Sequence, residues 1–413
     1  MAGIAAAREL SRGQYSVVVL EGRDRIGGRV MTVNDFCDGP VEGGAEFVHG
    51  RSAATLKEVN EAGLNLRGVP QMRRTVFNLG GATRWLPIAC MHPGTWACAG
   101  MRGNIAKAEP PDMSAREFIE KHGYKGRARQ LTEMTFLQHL PGGEDDVGVL
   151  GLIDDGVLDL QTRYNHRIVE GYGSLPKSLS NGLDIRLDSK VETIVWNDQS
   201  VRVRFNGGQE LEARAVVSTL PVGVLKSGAV RFEPELPKSK KHALSFIEMG
   251  PIIKILMHFK EDLWPRWMEM AAAATGPVNL YWSVFRNVKD SPSAMIAYSI
   301  GPRAEALSKE SDDKVVEIVM DDLKRMFPKS APHEALIKTR IINWGKDPFA
   351  FGGYTYLRPG GRGARESLRA TDTGALFWAG AGTESQPISE LVETAYLSGL
   401  RAAGEVRASL EAR

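Results

Sequence analysis

The sequence has little cysteine and no grouping of metal-binding residues. Three cysteines occur in 413 residues, at Cys37, Cys90 and Cys98. They are odd in number, widely spaced and without a CxxC pair, which excludes a disulfide framework, and the histidines do not cluster as a zinc site would require. We therefore expect a protein of the reducing cytoplasm that holds no metal.

Long apolar runs are also missing. The longest, Ile252 to Met257 around Lys254 and Met270 to Thr275, fall far below the ~18 residues of a membrane span. The first residues lack the order of basic, apolar and cleavage regions that marks a signal peptide. We expect no association with membranes.

Neither positive nor negative residues are in large excess. Lysine and arginine number 52 against 50 for aspartate and glutamate, which gives a net charge of +2. A net charge this small does not attract nucleic acid over long distances, so no nucleic-acid partner is expected. The length and the 43% hydrophobic content suit a globular protein of two domains.

The N-terminal region has the pattern of a dinucleotide-binding unit. Gly3 to Leu10 predicts a helix of small residues, and Val17 to Leu20 predicts a parallel strand buried on both faces. Glu21 ends that strand, near the ~20 residues expected between the fingerprint and the acid that binds a ribose.

The upstream half of this motif is not in the sequence. A full fingerprint has a strand and two more glycines before the helix, and Met1 stands where that turn would finish. Gly3 would be the third glycine, which lets helix and strand pack closely. We expect a chain that begins inside the motif, by truncation or by a misassigned start, and that exposes a sheet edge and dissolves poorly.

Shifts in composition divide the rest of the chain. Residues 68–159 are irregular and helical with proline and glycine breaks, and a second excursion runs from about Lys238 to Arg362. We predict a nucleotide-binding domain at 1–67, 165–237 and 362–413, and a substrate-binding domain at 68–164 and 238–361. Predicted elements outside the first unit are strands at Ile185 to Leu187, Val191 to Trp196, Val201 to Phe205, Ala215 to Ser218 and Ala375 to Ala379, and helices at Asp312 to Met326 and from about Glu390 onward.

One stretch resembles a known family. Leu20 to Arg29, in which an acid and paired arginines precede Gly27, Gly28 and Arg29, resembles the signature of flavin-containing amine oxidases. The resemblance continues at Val41 to Gly50, Gly173 to Pro176, Ser218 to Pro221, Asp347 to Pro348, Gly352 to Tyr354 and Gly380 to Ala395. It covers nearly the whole chain, and within the family it is nearest to polyamine oxidases and histone lysine demethylases.

The resemblance implies a fold and a cofactor. The expected fold class is α/β: a Rossmann-like FAD-binding domain of the GR2 type without its first strand, and an inserted α+β substrate-binding domain. Monoamine oxidases link their flavin to a cysteine where this sequence has Gly353. FAD is therefore expected to bind noncovalently.

The resemblance also assigns cofactor contacts. Glu21 would accept bonds from the adenosine ribose, and Arg23 and Arg29 would offset the pyrophosphate, which Gly28 lets approach. The main chain of Val191 would bind the adenine. The remaining contacts would lie around the flavin, with Gly44, Ala45, Glu46 and Phe47 beneath it and Ala381, Leu391 and Val392 at its pyrimidine edge.

Lys254 is the candidate catalytic residue. Its run is apolar on both faces, so its ammonium is expected in the interior, where it needs a local partner such as ordered water. The resemblance implies that it holds a water at the flavin. The alternative is a lysine that protects an edge strand.

Three residues are expected at the substrate. Tyr354 would flank the amine, and Trp344 would pack beside the flavin or wall the pocket, with core packing as the alternative for both. His49 would orient a distal amine or titrate near neutral pH, and is otherwise structural.

The resulting hypothesis is a flavoenzyme that oxidises the C–N bond of a small amine, with a polyamine as one option, to an imine and passes electrons to molecular oxygen, giving hydrogen peroxide. Two departures from the family pattern leave rivals open. Ala381 replaces a usual acid and Leu391 a usual second aromatic. The rivals are an amino-acid oxidase or desaturase-like reaction on the same scaffold, and a noncatalytic remnant.

Overall fold

A computed structural model describes most of the chain, namely residues 1–13, 15–51, 53–69, 74–78, 83–85, 100–135, 140–156, 165–265, 267–286, 288–371, 374–385 and 391–413. Cys90, Cys98 and Glu390 lie outside the described residues, as does much of the first predicted insertion.

The described helices are α1 (Ala2–Arg12), α2 (Ala54–Glu61), α3 (Met101–Ala106), α4 (Ala115–Lys121), α5 (Gly126–Thr135), α6 (Val149–Asp154), α7 (Ser174–Leu179), α8 (Val222–Ser227), α9 (Lys238–Phe246), α10 (Pro302–Ser308), α11 (Asp312–Met326), α12 (Pro332–Ala335), α13 (Ala364–Arg369) and α14 (Val392–Glu411), with a 3-10 turn at Ala381–Thr383.

The described strands are β1 (Val18–Leu20), β2 (Thr32–Cys37), β3 (Gly39–Glu42), β4 (Val48–His49), β5 (Leu66–Val69), β6 (Thr75–Asn78), β7 (Thr83–Trp85), β8 (Asn165–Ile168), β9 (Asp184–Arg186), β10 (Val191–Trp196), β11 (Val201–Phe205), β12 (Gln209–Ala213), β13 (Val216–Ser218), β14 (Arg231–Glu233), β15 (Ile247–Gly250), β16 (Ile252–Phe259), β17 (Met270–Ala273), β18 (Leu280–Ser283), β19 (Ser293–Ile300), β20 (Leu336–Asn343), β21 (Tyr354–Leu357) and β22 (Leu376–Trp378).

The nucleotide-binding unit contains the predicted helix and strand. β1 pairs in parallel with β9, and β13 pairs in parallel with β22. α1 buries its small residues against α14. The two helices are so close that a Cβ added to Gly399 of α14 would lie 2.2 Å from the carbonyl oxygen of Ala2. The expectation that β1 is buried on both faces is wrong, because Val18 is 37% exposed.

A three-stranded antiparallel meander follows, with β10, β11 and β12 in order and β14 added in parallel beside β10. Both the β10 and β11 predictions are confirmed at their bounds. β12 was not predicted because its residues, Gln209 to Ala213, include two glutamates, are mostly exposed and carry only one large apolar side chain, Leu211. Its backbone pairing with β11 decides its conformation.

A seven-stranded sheet with the order β20-β16-β19-β18-β17-β6-β7 forms the other half of the fold. β6 and β7 come from the first predicted insertion and the other strands from the second, so both insertions contribute to one sheet. α11, confirmed at Asp312–Met326, buries Val315, Val319 and Leu323 against the same core as Ile253, Ile255 and Met257 of β16. The division into two domains stays a prediction.

Within the described stretches, no helix is both long enough and apolar enough to cross a membrane.

Candidate active site

One cavity of about 1050 Å³ lies between the parallel strands and the seven-stranded sheet. Its volume is at the upper end of the roughly 300–1,000 Å³ typical of ligand pockets. All sixteen predicted site residues line it, although they come from six separated parts of the chain: Glu21, Arg23, Gly28, Arg29, Gly44, Ala45, Glu46, Phe47, His49, Val191, Lys254, Trp344, Tyr354, Ala381, Leu391 and Val392. Their individual roles stay predictions.

The end of the cavity beside β1 has features that fit a dinucleotide. Glu21 follows β1, and its carboxylate accepts a hydrogen bond of 3.0 Å from the backbone N–H of Arg23. Gly28 and Gly380 have φ values of 60° and 130°, and a Cβ added to either would meet open space. The backbone therefore leaves room for a ligand to approach closely at both positions.

The two predicted pyrophosphate arginines already have protein partners. Arg23 donates two bonds of 2.7 Å to the carboxylate of Asp347, and its guanidinium lies 5.1 Å from the ring centre of Phe349. Arg29 donates to the carbonyl oxygen of Gly353. Asp347 balances the charge of Arg23. This contact was not predicted, although Asp347 and Pro348 belong to the motifs that carry the family resemblance.

Lys254 lies in the middle of the cavity wall. β16 runs between β19 and β20, so the alternative of a lysine protecting an edge strand is wrong. The residue is 4% exposed. Its Nζ donates to the carbonyl oxygens of Glu42 at 3.0 Å and Gly44 at 2.8 Å, and to Oε2 of Glu46 at 3.1 Å. The local partner expected for the buried ammonium is thus a carboxylate with two carbonyls.

The turn that receives Lys254 is closely packed. A Cβ added at Gly44 would lie 2.0 Å from the carbonyl oxygen of Arg29, so only glycine fits. Trp344, 4% exposed, donates from Nε1 to the carbonyl oxygen of Gly43 at 3.0 Å. The indole therefore supports this turn as well as lining the cavity.

Aromatic rings surround this part of the cavity, and we call Phe47, Trp282, Tyr298 and Tyr354 the aromatic chamber. The ring centres of Phe47 and Trp282 are 6.0 Å apart and those of Trp282 and Tyr298 are 5.6 Å apart. A hydrogen bond links the side chains of Tyr298 and Tyr354. Trp282 and Tyr298 were missed from sequence because aromatic residues on strands are equally typical of a core.

His49 lies in the same cavity and bonds to a residue that was also missed. Its Nδ1 is 2.5 Å from Oδ1 of Asn165, which follows from the pairing of β4 with β8. Burial lowers the pKa of His49 to about 4, although the bond to Asn165 acts in the opposite direction. The imidazole is therefore neutral at physiological pH, and the option that it titrates near neutrality is wrong.

The N-terminus of α14 closes the cavity from the C-terminal side. Leu391 caps the helix and Val392 begins it, and both line the cavity. The acid of the first turn, Glu393, bonds to the backbone N–H groups of Ala54 at 2.6 Å and Thr55 at 2.9 Å, so it serves the start of α2. The backbone N–H groups at the start of α14 favour negative charge at this end of the cavity.

No group of three or more histidine, cysteine, aspartate or glutamate side chains in the described part of the chain is arranged to hold a metal ion.

Comparison with protein families identifies the chain. The model of the flavin containing amine oxidoreductases matches residues 1–407. The chain belongs to the flavin-containing amine oxidoreductases. It is accordingly a flavin-dependent oxidoreductase whose cofactor is FAD, and the glycines and Glu21 described above fit a dinucleotide of this kind.

Relatives of this amine oxidoreductase include polyamine oxidase 4 of Oryza sativa subsp. japonica. The two are 30% identical over 98% of this chain and 87% of the relative. Lysine-specific histone demethylase 1B of Mus musculus is 25% identical over 98% of this chain but 52% of its own length.

Solved structures show the same mixed α/β fold. Wild-type putrescine oxidase bound to putrescine superposes with a TM-score of 0.85 at 19% identity, covering 98% of this chain and 97% of that one. Cyclohexylamine oxidase from Brevibacterium oxydans gives a TM-score of 0.86 at 18% identity, covering 99% and 97%. The Rossmann-like GR2 detail of the expected fold stays a prediction.

Proposed function

We propose that this flavoenzyme oxidises the C–N bond of an amine, a polyamine being the first candidate, to an imine. Molecular oxygen is the electron acceptor and hydrogen peroxide a product. When bound, FAD supplies the acceptor for the hydride that leaves the amine's α-carbon. The chain's own residues bind and orient the amine and keep bulk water from it.

The observation that carries the proposal is the continuity of the cavity. It begins at the carboxylate of Glu21 and the open glycines, and it continues into the aromatic chamber beside Lys254. Aromatic faces attract cationic and electron-poor nitrogen, and buried rings exclude water. This combination suits an amine held against a dinucleotide cofactor.

His49 favours an amine with a second nitrogen. Because its imidazole is neutral, one ring nitrogen accepts a hydrogen bond while the other donates. If Nδ1–H donates to Asn165, Nε2 presents a lone pair to the cavity. A distal ammonium of a diamine or polyamine can donate to that nitrogen.

Noncovalent binding of FAD is supported at Gly353. A Cβ added there would lie 2.2 Å from Cδ1 of Ile252, so a cysteine does not fit without movement of β16. Acid precipitation of the FAD-loaded protein should release all of the flavin into the supernatant. Flavin that stays with the pellet would contradict this part of the proposal.

Substrate profiling tests the reaction. The FAD-loaded protein is mixed without oxygen with putrescine, spermidine, spermine, cyclohexylamine or L-amino acids, and loss of the visible flavin absorbance is followed. Oxygen is then admitted and peroxide is measured. Bleaching by a polyamine and stoichiometric peroxide support the proposal.

Other outcomes separate the rivals. Arg102 also lines the cavity, and carboxylate recognition requires such a group, so reduction by amino acids alone would favour an amino-acid oxidase. Bleaching without peroxide would indicate another acceptor. Protein that binds FAD but is reduced by none of these compounds would contradict amine oxidation, and protein that binds no FAD would favour the remnant.

A further inference from the structure

Five buried side chains of alternating charge run from the cavity wall into the protein, and we call Lys254, Glu46, Arg167, Glu269 and Arg286 the charge line. Their side chains are 5%, 3%, 8%, 4% and 6% exposed. Consecutive members are 3.1, 2.9, 2.9 and 2.6 Å apart. Burial of so many charges is costly unless each is paired, as these are.

The Lys254 end of the charge line has no spare donor in this structure. An ammonium has three N–H donors, and the carbonyls of Glu42 and Gly44 and the carboxylate of Glu46 accept three bonds. Lys254 therefore acts at the cavity wall as a fixed charge. The resemblance had implied a lysine that holds a water, and such a role would require one of these bonds to open.

Three side chains donate hydrogen bonds to the carboxylate of Glu46, and Lys254 is one of them. Trp282 donates from Nε1 to both carboxylate oxygens at 2.9 Å, and Arg167 donates from Nε at 2.9 Å. Each of these contacts is charge-assisted, which strengthens it and favours the ionised carboxylate. The carboxylate is thus surrounded by donors on the side away from Lys254 as well.

Arg167 fixes the position of Glu46. Besides that carboxylate it bonds to Oε1 of Glu269 at 2.9 Å and to the carbonyl oxygens of Ser283 at 3.1 Å and Val284 at 3.3 Å. The planar guanidinium therefore ties β8 to the end of β18, and a lysine at this position would satisfy fewer of these acceptors.

We propose that Glu46 is the counter-ion that keeps Lys254 charged at the wall of the FAD cavity, and that Arg167 is the residue that positions Glu46. This role goes beyond packing beneath the flavin, the part assigned to Glu46 by resemblance. It rests on the binding of FAD and not on the identity of the amine.

Other groups face the charge line and must be separated from it. They are the carboxyl of Glu42, whose pKa burial raises to about 7, the guanidinium of Arg67, which donates to the carbonyl oxygen of Val284, and the phenol of Tyr298, whose pKa burial raises. The backbone of Tyr298 on β19 lies opposite that of Lys254 on β16. A comparison in which these groups stay constant isolates Lys254.

The first test uses the FAD-loaded protein and sulfite, an anionic nucleophile whose binding to flavin a positive environment favours. E46Q is compared with the double variant E46Q/K254M, and the wild type with K254M, from about pH 6 to about pH 9. The ratio of sulfite dissociation constants within each pair reports the charge of Lys254 alone.

The two ratios of sulfite dissociation constants should differ in their dependence on pH. The wild type should bind sulfite about tenfold more tightly than K254M at every pH, since a unit charge acts through the cavity wall. In the E46Q pair the advantage should be present at low pH and disappear as pH rises, because the unpaired ammonium loses its proton. A ratio in the E46Q pair that stays as constant as in the wild-type pair would overturn the assignment of Glu46.

The role of Arg167 is tested by whether its replacement weakens or strengthens sulfite binding. R167Q removes a positive charge and should weaken sulfite binding, whereas R167K should return it to within about threefold of the wild type. A purely structural arginine would lower the melting temperature of both variants without this signed change. Equal sulfite affinities in R167Q and R167K would refute the positioning role.

The chain also offers a matched control. Asp322 is a buried carboxylate that accepts from Tyr281 at 2.6 Å and Arg325 at 3.1 Å, and it does not line the cavity. Tyr281 is the neighbour of Trp282 on β18. D322N should destabilise the protein and leave sulfite affinity within about twofold of the wild type.

A second measurement needs neither FAD nor amine. The unfolding equilibrium constants of the FAD-free wild type, E46Q, K254M and the double variant form a double-mutant cycle. The two substitutions should be non-additive by at least about tenfold, because each of them alone already breaks the buried ion pair between the two side chains. If E46Q does not fold, W282F and E46D take its place in the cycle. Additive effects would overturn the proposal even where FAD binds and amines are oxidised.

Discussion

The two ends of the cavity are built in different ways. The end beside β1, where we propose that the nucleotide binds, is the nucleotide end: β1 and β9 form one short parallel pair and β13 and β22 another, and glycines leave open space. The end beside Lys254, where we propose that the amine binds, is the amine end: β16 lies inside a seven-stranded sheet, and Lys254 is held by three protein acceptors. The protein's own contacts therefore organise the amine end, whereas the nucleotide end leaves space that we propose the cofactor fills.

The largest effect on stability is expected when the buried ion pairs of Arg167 are removed. R167M leaves the carboxylates of Glu46 and Glu269 without their shared arginine, which should cost about 3–5 kcal/mol of the free energy of unfolding. Urea unfolding of the FAD-free protein measures the loss. R202M is the control, because Arg202 is an exposed strand arginine paired with Glu212 and should cost at most about 1 kcal/mol. Equal losses in both variants would show that the amine end is not organised by these charges.

A pH effect on stability is expected at the amine end. Burial raises the pKa of Glu42 from 4.5 to about 7, so the folded protein binds a proton more tightly than the unfolded chain. This contribution to stability is complete below about pH 4.5 and is lost as pH rises through about 7, with a size of about 3 kcal/mol.

E42Q removes the titrating group, and its one amide oxygen can still accept from the backbone N–H of Tyr172, while its NH2 faces the hydroxyl of Thr32. The difference in free energy of unfolding between wild type and E42Q should therefore shift in favour of E42Q from about pH 5 to about pH 8. Chemical unfolding at the two pH values measures it. The exposed carboxylate of Glu212 supplies the control, and a difference that does not change with pH would contradict the buried acid.

Cofactor binding should distinguish the two ends directly. FAD at one hundred times its dissociation constant should stabilise the fold by about 2.7 kcal/mol. Hydrogen exchange should show new protection in β1 and β9, where we propose that the cofactor binds, and little change in β16 and β19, which are already paired on both sides. Protection gained equally by both regions would remove the proposed difference.

The smallest effect concerns the selection of the amine. H49Q should raise KM for a diamine about tenfold, equivalent to about 1.4 kcal/mol, since a neutral acceptor for the distal nitrogen is altered. A monoamine of similar length should be unaffected and serves as the control. Steady-state peroxide release measures both. A parallel change in KM for the monoamine would assign His49 to packing.

Local signals predicted much of the fold. α11 and β10 have the bounds expected from apolar periodicity and turn residues, and the small residues of α1 form the expected helix. Lys254 was expected in the interior because its neighbours are apolar on both faces, and that expectation is confirmed. β12 and the exposure of Val18 were missed because pairing and neighbours, not local pattern, decide them.

The sequence by itself determined the family, through the glycine and arginine spacing around Gly28, and with it sixteen of the residues that line the cavity. The tertiary structure alone decided which charges meet. Glu46 and Lys254 are 208 residues apart in the chain, and Glu46 and Arg167 are 121 residues apart. No local periodicity relates residues so far apart in the chain, because the hydrogen bonds between them form only when folding brings their atoms to about 3 Å.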